Sequence, residues 1–242
     1  MHLKSFGLSD IGMNRPNNED VWAALPELGF FALADGMGGH KGGEVAAKEA
    51  IDSLLVSAKD MQHKSCMELV IEIRHAIQVA NRWIYQMGQK SEDLAGMGTT
   101  LCCLHWTEDF IVYAHIGDSR IYRLRKKKLE LLTQDHSLFA KWQASGKLSE
   151  ECQTSFPYKN VITRTLGTAH FAKPEVAVAP HEMEDLYFLS SDGLHDVLTL
   201  QEMERIINTS DDLEFSCKNL IELAKFKGSC DNITLLMIQS ST

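Results

Sequence analysis

No stretch of this chain supplies the roughly 18 consecutive apolar residues of a membrane-spanning helix, and its N-terminus carries no charged-then-apolar leader pattern. A cytoplasmic protein with no membrane partner is expected. Positive charge is scarce as well. Twenty-four Lys and Arg against 33 Asp and Glu leave a net charge of −9, and a phosphate backbone wants a basic face, so nucleic acid is excluded as a partner. The basic residues Arg120, Arg123, Arg125 and Lys126-Lys127-Lys128 read as a solvated hairpin tip. None of the six cysteines stands in a Cys-x-x-Cys spacing, which points to buried free thiols in a reducing compartment. Cys102 and Cys103 are neighbours in a strand-like run and face opposite ways.

The usual catalytic signatures are missing too. There is no Gly-x-Ser-x-Gly and no Cys-x5-Arg, so covalent catalysis has no visible nucleophile. The ten histidines include no His-Glu-x-x-His pair. No Gly-Lys-Ser/Thr accompanies the glycines between Gly36 and Gly42, and no acid-tipped second strand follows them, so a nucleotide loop is disfavoured. Internal repeats, low-complexity tracts and linkers are absent. With 242 residues and 44% hydrophobic content, one soluble domain with a sizeable core is the economical reading.

What the sequence does have is acids at the ends of apolar runs. Phe30-Phe31-Ala32-Leu33-Ala34 stops at Asp35-Gly36, a second run at Gly117-Asp118-Ser119, and a third at Ser190-Ser191-Asp192-Gly193. Asp231-Asn232 opens the last strand, and Asn18-Glu19-Asp20 precedes another. One Asp-Gly is a turn signal. Asp35 and Asp192, however, each lead into helix-like sequence rather than a return strand. Carboxylates brought together raise one another's pKa unless a cation intervenes, and hard divalent ions such as Mg²⁺ or Mn²⁺ are their natural partners. Arg15, just before Glu19 and Asp20, could clamp a phosphate with its fork or be a plain surface arginine. His40, in the glycine loop, is a candidate proton donor. His136 reads as structural, with Asp135 or Ser137 capping the helix that follows.

Periodicity predicts strands at 2–12, Val21 to Ala24 and from Phe30, with the second and third forming a hairpin across Pro26-Glu27-Leu28-Gly29. Helices are predicted from Glu44 to about Ala58 and from about Cys66 to Met87. In the latter, Leu69, Ile73, Ile77, Ala80 and Ile84 form one apolar stripe. Further strands are predicted at Thr99 to Trp106, Phe110 to His115, Ile121 to Leu124, Leu129 to Thr133, Glu175 to Val178, Leu186 to Leu189 and Ile233 to Gln239. Helices are predicted from near Ser137 to near Gly146, from Leu200 to Ile207 and from Leu213 to Lys225. Strands arrive in groups and helices in pairs, so the fold class is α+β with antiparallel sheets, not a doubly wound parallel sheet.

Arg15 with Asn18-Glu19-Asp20, Ala34-Asp35-Gly36-Met37-Gly38-Gly39-His40, Gly98-Thr99-Thr100, Gly117-Asp118-Ser119-Arg120, Thr133-Gln134-Asp135-His136-Ser137, Ser191-Asp192-Gly193 and Asp231-Asn232 stand in one order. In that order the chain resembles the bacterial metal-dependent serine/threonine protein phosphatases of the protein phosphatase 2C (PPM) family, from about residue 5 to 238. The resemblance implies a central antiparallel β-sandwich flanked by helix pairs (four layers, αββα), with residues 1–242 as a single catalytic domain. The stretch of about 148–168 resembles the family's flap. Two ions, Mn²⁺ or Mg²⁺, and a site for a third are implied. Asp35 would bridge both ions, the Gly36 carbonyl would bind one, and Asp192 and Asp231 the other. Glu19 and Asp20 would act directly or through water, Asp118 with Asp192 would hold the third, and Arg15 would bind phosphate. Many members outside bacteria place a histidine acid where this chain has Met37, which leaves His40 or a water for that task. The activity implied is hydrolysis of phosphoserine and phosphothreonine by direct attack of a dimetal-activated water, on protein substrates, with a serine/threonine kinase as the opposing partner and a monomer as the working state. A phosphohydrolase for small esters and a phosphoprotein-binding pseudophosphatase are the rival readings.

Overall fold

The structure is a computed structural model and describes residues 2–38, 42–146, 157–158 and 161–241. In chain order it consists of β1 (His2–Asp10), β2 (Asp20–Leu25), β3 (Phe30–Met37), α1 (Gly42–Ala58), α2 (Cys66–Lys90), β4 (Gly98–Thr99), β5 (Leu101–Trp106), β6 (Phe110–Ile116), β7 (Arg120–Arg125), β8 (Lys128–Leu131), α3 (Leu138–Ala144), β9 (Glu175–Pro180), β10 (Leu186–Ser190), α4 (Asp192–His195), α5 (Leu200–Ile207), α6 (Leu213–Phe226) and β11 (Ile233–Ser241). One sheet runs β1-β11-β10-β7-β8 and the other β2-β3-β5-β6-β9, with β4 added against β3. Every strand pair is antiparallel.

Strand alternation sorts the apolar residues into three stacked layers. Phe30, Ala32, Ala34, Leu101 and Cys103 face α1 and α2. Phe31, Leu33, Cys102, Leu104, Tyr187, Leu189, Leu236 and Ile238 fill the space between the sheets. Phe188, Leu235 and Met237 pack on α5 and α6. The four-layer sandwich expected from the resemblance is therefore present, and Cys102 and Cys103 do face opposite ways. On α2 the stripe Leu69, Ile73, Ile77, Ala80 and Ile84 is buried. Its start is fixed by a capping box: Ser65 Oγ accepts the Glu68 N–H, and the Glu68 carboxylate accepts the Ser65 N–H.

Two local readings need correction. The strand expected over Thr99 to Trp106 is interrupted at Thr100, whose side chain is occupied with Asp35 and Ser119. The basic run is a solvated tip only at Lys126, Lys127 and Lys128, the first two of which sit at φ of 50° and 65° and turn the β7–β8 hairpin. Arg120 instead lies on the strand with its fork on Asp135, at 2.9 and 2.7 Å.

Candidate metal and phosphate site

The acids meet at one end of the sandwich, where strands of both sheets terminate. Asp20 opens β2 directly opposite Asp35 near the end of β3. Phe31 and Leu33 face the inter-sheet layer, so period-two alternation turns Asp35 into the same crevice. From the other sheet, Ser191 and Asp192 follow β10, and Asp231 and Asn232 precede β11. Asp118 occupies the β6–β7 turn, where Gly117 adopts φ of 103°.

Neutral groups hold this backbone in place. Asp35 N–H donates to Thr100 Oγ1 at 3.0 Å, and the Asp35 carbonyl accepts from Thr99 Oγ1 and Thr100 N, both at 2.8 Å. Thr100 Oγ1 lies 2.6 Å from Ser119 Oγ, beside Asp118. Asn232 joins three segments: its Oδ1 accepts the Glu19 N–H at 2.9 Å, and its Nδ2 donates to the carbonyls of Ile11 and Asn17 at 2.9 and 3.0 Å. Glycine is needed where β3 meets the start of α1. A Cβ on Gly36 would lie 2.2 Å from the Gly43 carbonyl oxygen, and one on Gly43 would lie 2.3 Å from Glu19 Oε2. The start of α1 thus packs directly against Glu19 and the end of β3.

The electrostatics follow from this crowding. Burial first, then the charges of Asp20, Asp192, Asp118 and Asp231, push the Asp35 carboxyl well above its ordinary range. Burial followed by Asp118 does the same to Asp192. Burial raises Asp20 to about 6, against hydrogen bonds from Thr234 and Ser191 that lower it. Asp118 rises to about 6 through burial and then Asp135, and burial also raises Glu19. Arg15 donates to Asp231 Oδ2 at 2.5 Å, which raises the guanidinium further.

Cations fit this donor set. Ser191 Oγ donates to Asp20 Oδ2 at 2.8 Å, but Asp20 Oδ1 and Asp192 Oδ1 are buried with no hydrogen-bond partner. An unpartnered buried carboxylate oxygen is costly, and several in one crevice call for a hard positive ion. Of the residues singled out in the sequence, Arg15, Glu19, Asp20, Asp35, Gly36, Asp118, Asp192 and Asp231 come together at this crevice. His40 and residues 147–156 and 159–160 of the flap-like stretch lie outside the described residues.

Sequence reading missed a second cluster beside the first. Donor atoms of His115, His136 and Glu175 lie within 4.8 Å of one another, the tightest such trio among the described residues. A metal does not fit there. His136 Nδ1 accepts the Gly117 N–H at 3.2 Å, which places the ring proton on Nε2, facing Glu175 Oε1 at 3.1 Å. Arg164 Nη1 already sits 3.1 Å from that same oxygen and 3.1 Å from His136 Nε2, so a cationic side chain occupies the place a metal would need. His115 is engaged elsewhere, its Nε2 facing the Gln134 carbonyl at 2.8 Å while its ring stacks on His136. Ser137, not Asp135, caps α3, its Oγ accepting the Ala140 N–H.

Comparison with known proteins places the chain. The family model described as "Protein phosphatase 2C" matches residues 7–220. The protein phosphatase PhpP of Streptococcus pneumoniae is 34% identical, over 96% of this chain and 95% of its own length. The crystal structure of the Mycobacterium tuberculosis serine/threonine phosphatase PstP/Ppp superposes with a TM-score of 0.92 at 32% identity, covering 99% of each chain. The catalytic domain of a serine threonine protein phosphatase PstP, solved in complex with 2 manganese ions, gives a TM-score of 0.88 at 32% identity over 98% of this chain and 97% of that one. The chain belongs to the protein phosphatase 2C family.

Proposed function

We propose that this chain is a divalent-metal-dependent phosphatase that hydrolyses phosphoserine and phosphothreonine in proteins, working as a monomer in the cytoplasm and opposing a serine/threonine kinase. The observation that carries the reading is the crevice itself: buried acids from separate strand ends, with Asp20 Oδ1 and Asp192 Oδ1 left without partners. Asp35, the Gly36 carbonyl, Asp192 and Asp231 would hold two ions, Mn²⁺ or Mg²⁺, with Glu19 and Asp20 acting directly or through water and Asp118 with Asp192 offering a third position. Bound there, such ions lower the pKa of a coordinated water and offset charge on phosphoryl oxygens.

The chain's own residues supply the rest. Arg15 is half exposed and anchored on Asp231. Its remaining guanidinium N–H groups make no hydrogen bond among the described residues, so they are free to bind a phosphoryl oxygen in the ground state and more strongly as negative charge spreads. Thr100 and Asn232 hold the acid-bearing backbone and Ser191 holds the Asp20 carboxylate, none contributing charge, so the carboxylates keep their positions when substrate arrives. The leaving serine or threonine oxygen takes its proton from water or from His40.

Mn²⁺-dependent release of phosphate from a phosphothreonine peptide tests this directly. Wild-type protein should turn over, and Asp35→Asn should lose at least about a thousandfold in kcat/KM, the loss expected when an electrostatic centre is removed. Wild-type rates in folded Asp35→Asn, or full activity after thorough chelation, would refute it.

A further inference from the structure

The segment Asp135-His136-Ser137 is tied on three sides. Asp135 takes the fork of Arg120. The His136 backbone N–H donates to the Gly117 carbonyl at 2.8 Å, and the Gly117 N–H returns to His136 Nδ1 at 3.2 Å. On the opposite side, the His136 carbonyl accepts both the N–H and the hydroxyl of Thr163, at 2.7 and 2.9 Å. Ser137 bridges Ile162, and Leu138 N–H donates to the Val161 carbonyl at 2.8 Å. One residue therefore touches the turn that carries Asp118 and the segment 161–164 within the flap-like stretch.

The ring is built to be read from both ends. His136 is 5% exposed and stacks on His115 with centroids 4.6 Å apart. Burial first, then His115, lowers its pKa, which keeps the ring neutral with one acceptor and one donor. The acceptor, Nδ1, faces the Gly117 N–H. The donor, Nε2–H, faces Glu175 Oε1 at 3.1 Å, and Arg164 Nη1 lies 3.1 Å from both that oxygen and Nε2, so the two donors converge on one carboxylate oxygen. Each nitrogen thus serves a different side of the site.

We propose that His136 is a positioning residue that fixes the Asp118 corner relative to the 161–164 segment, with Nδ1 setting the corner and Nε2–H setting the segment through Glu175 and Arg164. The inference rests on the phosphatase reading above. It also separates two kinetic effects: the corner governs how Mn²⁺ activates the enzyme, whereas the segment governs how a peptide, but not a small aryl phosphate, is held.

Three variants separate the two nitrogens. His136→Ala removes both. Asn places an amide oxygen where Nδ1 was, and Gln places an amide N–H₂ where Nε2 was. With His136→Ala, the Mn²⁺ concentration for half-activation and the KM for a phosphothreonine peptide should each rise about fivefold, the factor for one lost hydrogen bond. His136→Asn should restore Mn²⁺ activation alone, and His136→Gln peptide KM alone. Amide hydrogen exchange at Gly117 and Thr163 should follow the same division. If Asn and Gln behave as Ala does, or if Ala only lowers the melting temperature, the inference falls while the phosphatase reading stands. A wild-type protein without Mn²⁺-dependent turnover sinks both.

Discussion

Replacing one buried acid should make the chelated protein more stable, and increasingly so as pH rises. Asp20 titrates at about 6 in the fold against 3.8 for the free group, mainly through burial. A raised carboxyl pKa means the folded state holds a proton that the unfolded chain has given up, so stability falls as pH rises through that window. A shift of about 2 units is worth about 3 kcal/mol, and about 2 kcal/mol of this falls between about pH 4.5 and about pH 7.5. Wild-type slopes alone decide nothing, because the buried histidines oppose them. Burial lowers His105 to about 4 and holds His195 well below its usual value, and such groups gain stability as pH rises. The comparison of wild type with Asp20→Asn cancels the histidines. In urea unfolding with a chelator present, Asp20→Asn should gain about 2 kcal/mol on wild type between these two pH values. Adding Mn²⁺ at the upper pH should reverse the order, since wild type then binds the ion more tightly and is stabilised by mass action. A chelated Asp20→Asn that tracks wild type at every pH would refute the account of the crevice.

Two further outcomes follow from the geometry. Gly43→Ala places a methyl 2.3 Å from Glu19 Oε2 and 2.9 Å from the Gly36 carbonyl carbon. It should cost about 1–3 kcal/mol in thermal unfolding and weaken Mn²⁺ activation; an unchanged melting temperature would mean that the α1 start does not pack there. Arg15→Lys keeps the charge but loses the fork, so kcat/KM on a phosphopeptide should fall about tenfold, and a fall under about twofold would remove Arg15 from phosphate binding.

Much of this arrangement was legible because its signals are local. An apolar run that stops at an acid and a glycine marks both a strand end and a candidate ligand, and this holds at Asp35, Asp118 and Asp192 without knowledge of the fold. Helix limits were legible for the same reason: Leu200–Ile207 is preceded by Thr199, whose side chain accepts the Glu202 N–H. What was not legible is pairing across long separations. That β1 lies beside β11 depends on contacts between residues such as Phe6 and Met237. Glu175 meets His136 across 39 positions with no spacing rule to announce it. Arg120 was misread for a related reason. Charge in a basic run looks solvated until the partner that draws it inward, Asp135, is placed beside it.

The sandwich also explains why the acids need two sheets. Packed sheets stand about 10 Å apart, so side chains entering the crevice from either inner face at one end come within reach of a common pair of ions. A single sheet would set its acids in a row. Asp20 and Asp35 come from one sheet, Asp192 and Asp231 from the other, and Asp118 from the turn that crosses between them. Such a cluster works against folding until cations arrive. The groups that orient it must therefore act without the cations, and all but one are neutral: Thr100 on Asp35, Ser191 on Asp20 and Asn232 on Glu19, with Arg15 on Asp231 the charged exception. Hydroxyls and amides can hold these residues at any pH in the working range, whereas an ion pair competes with the cations for the same oxygen, as the Arg15 fork does at Asp231 Oδ2.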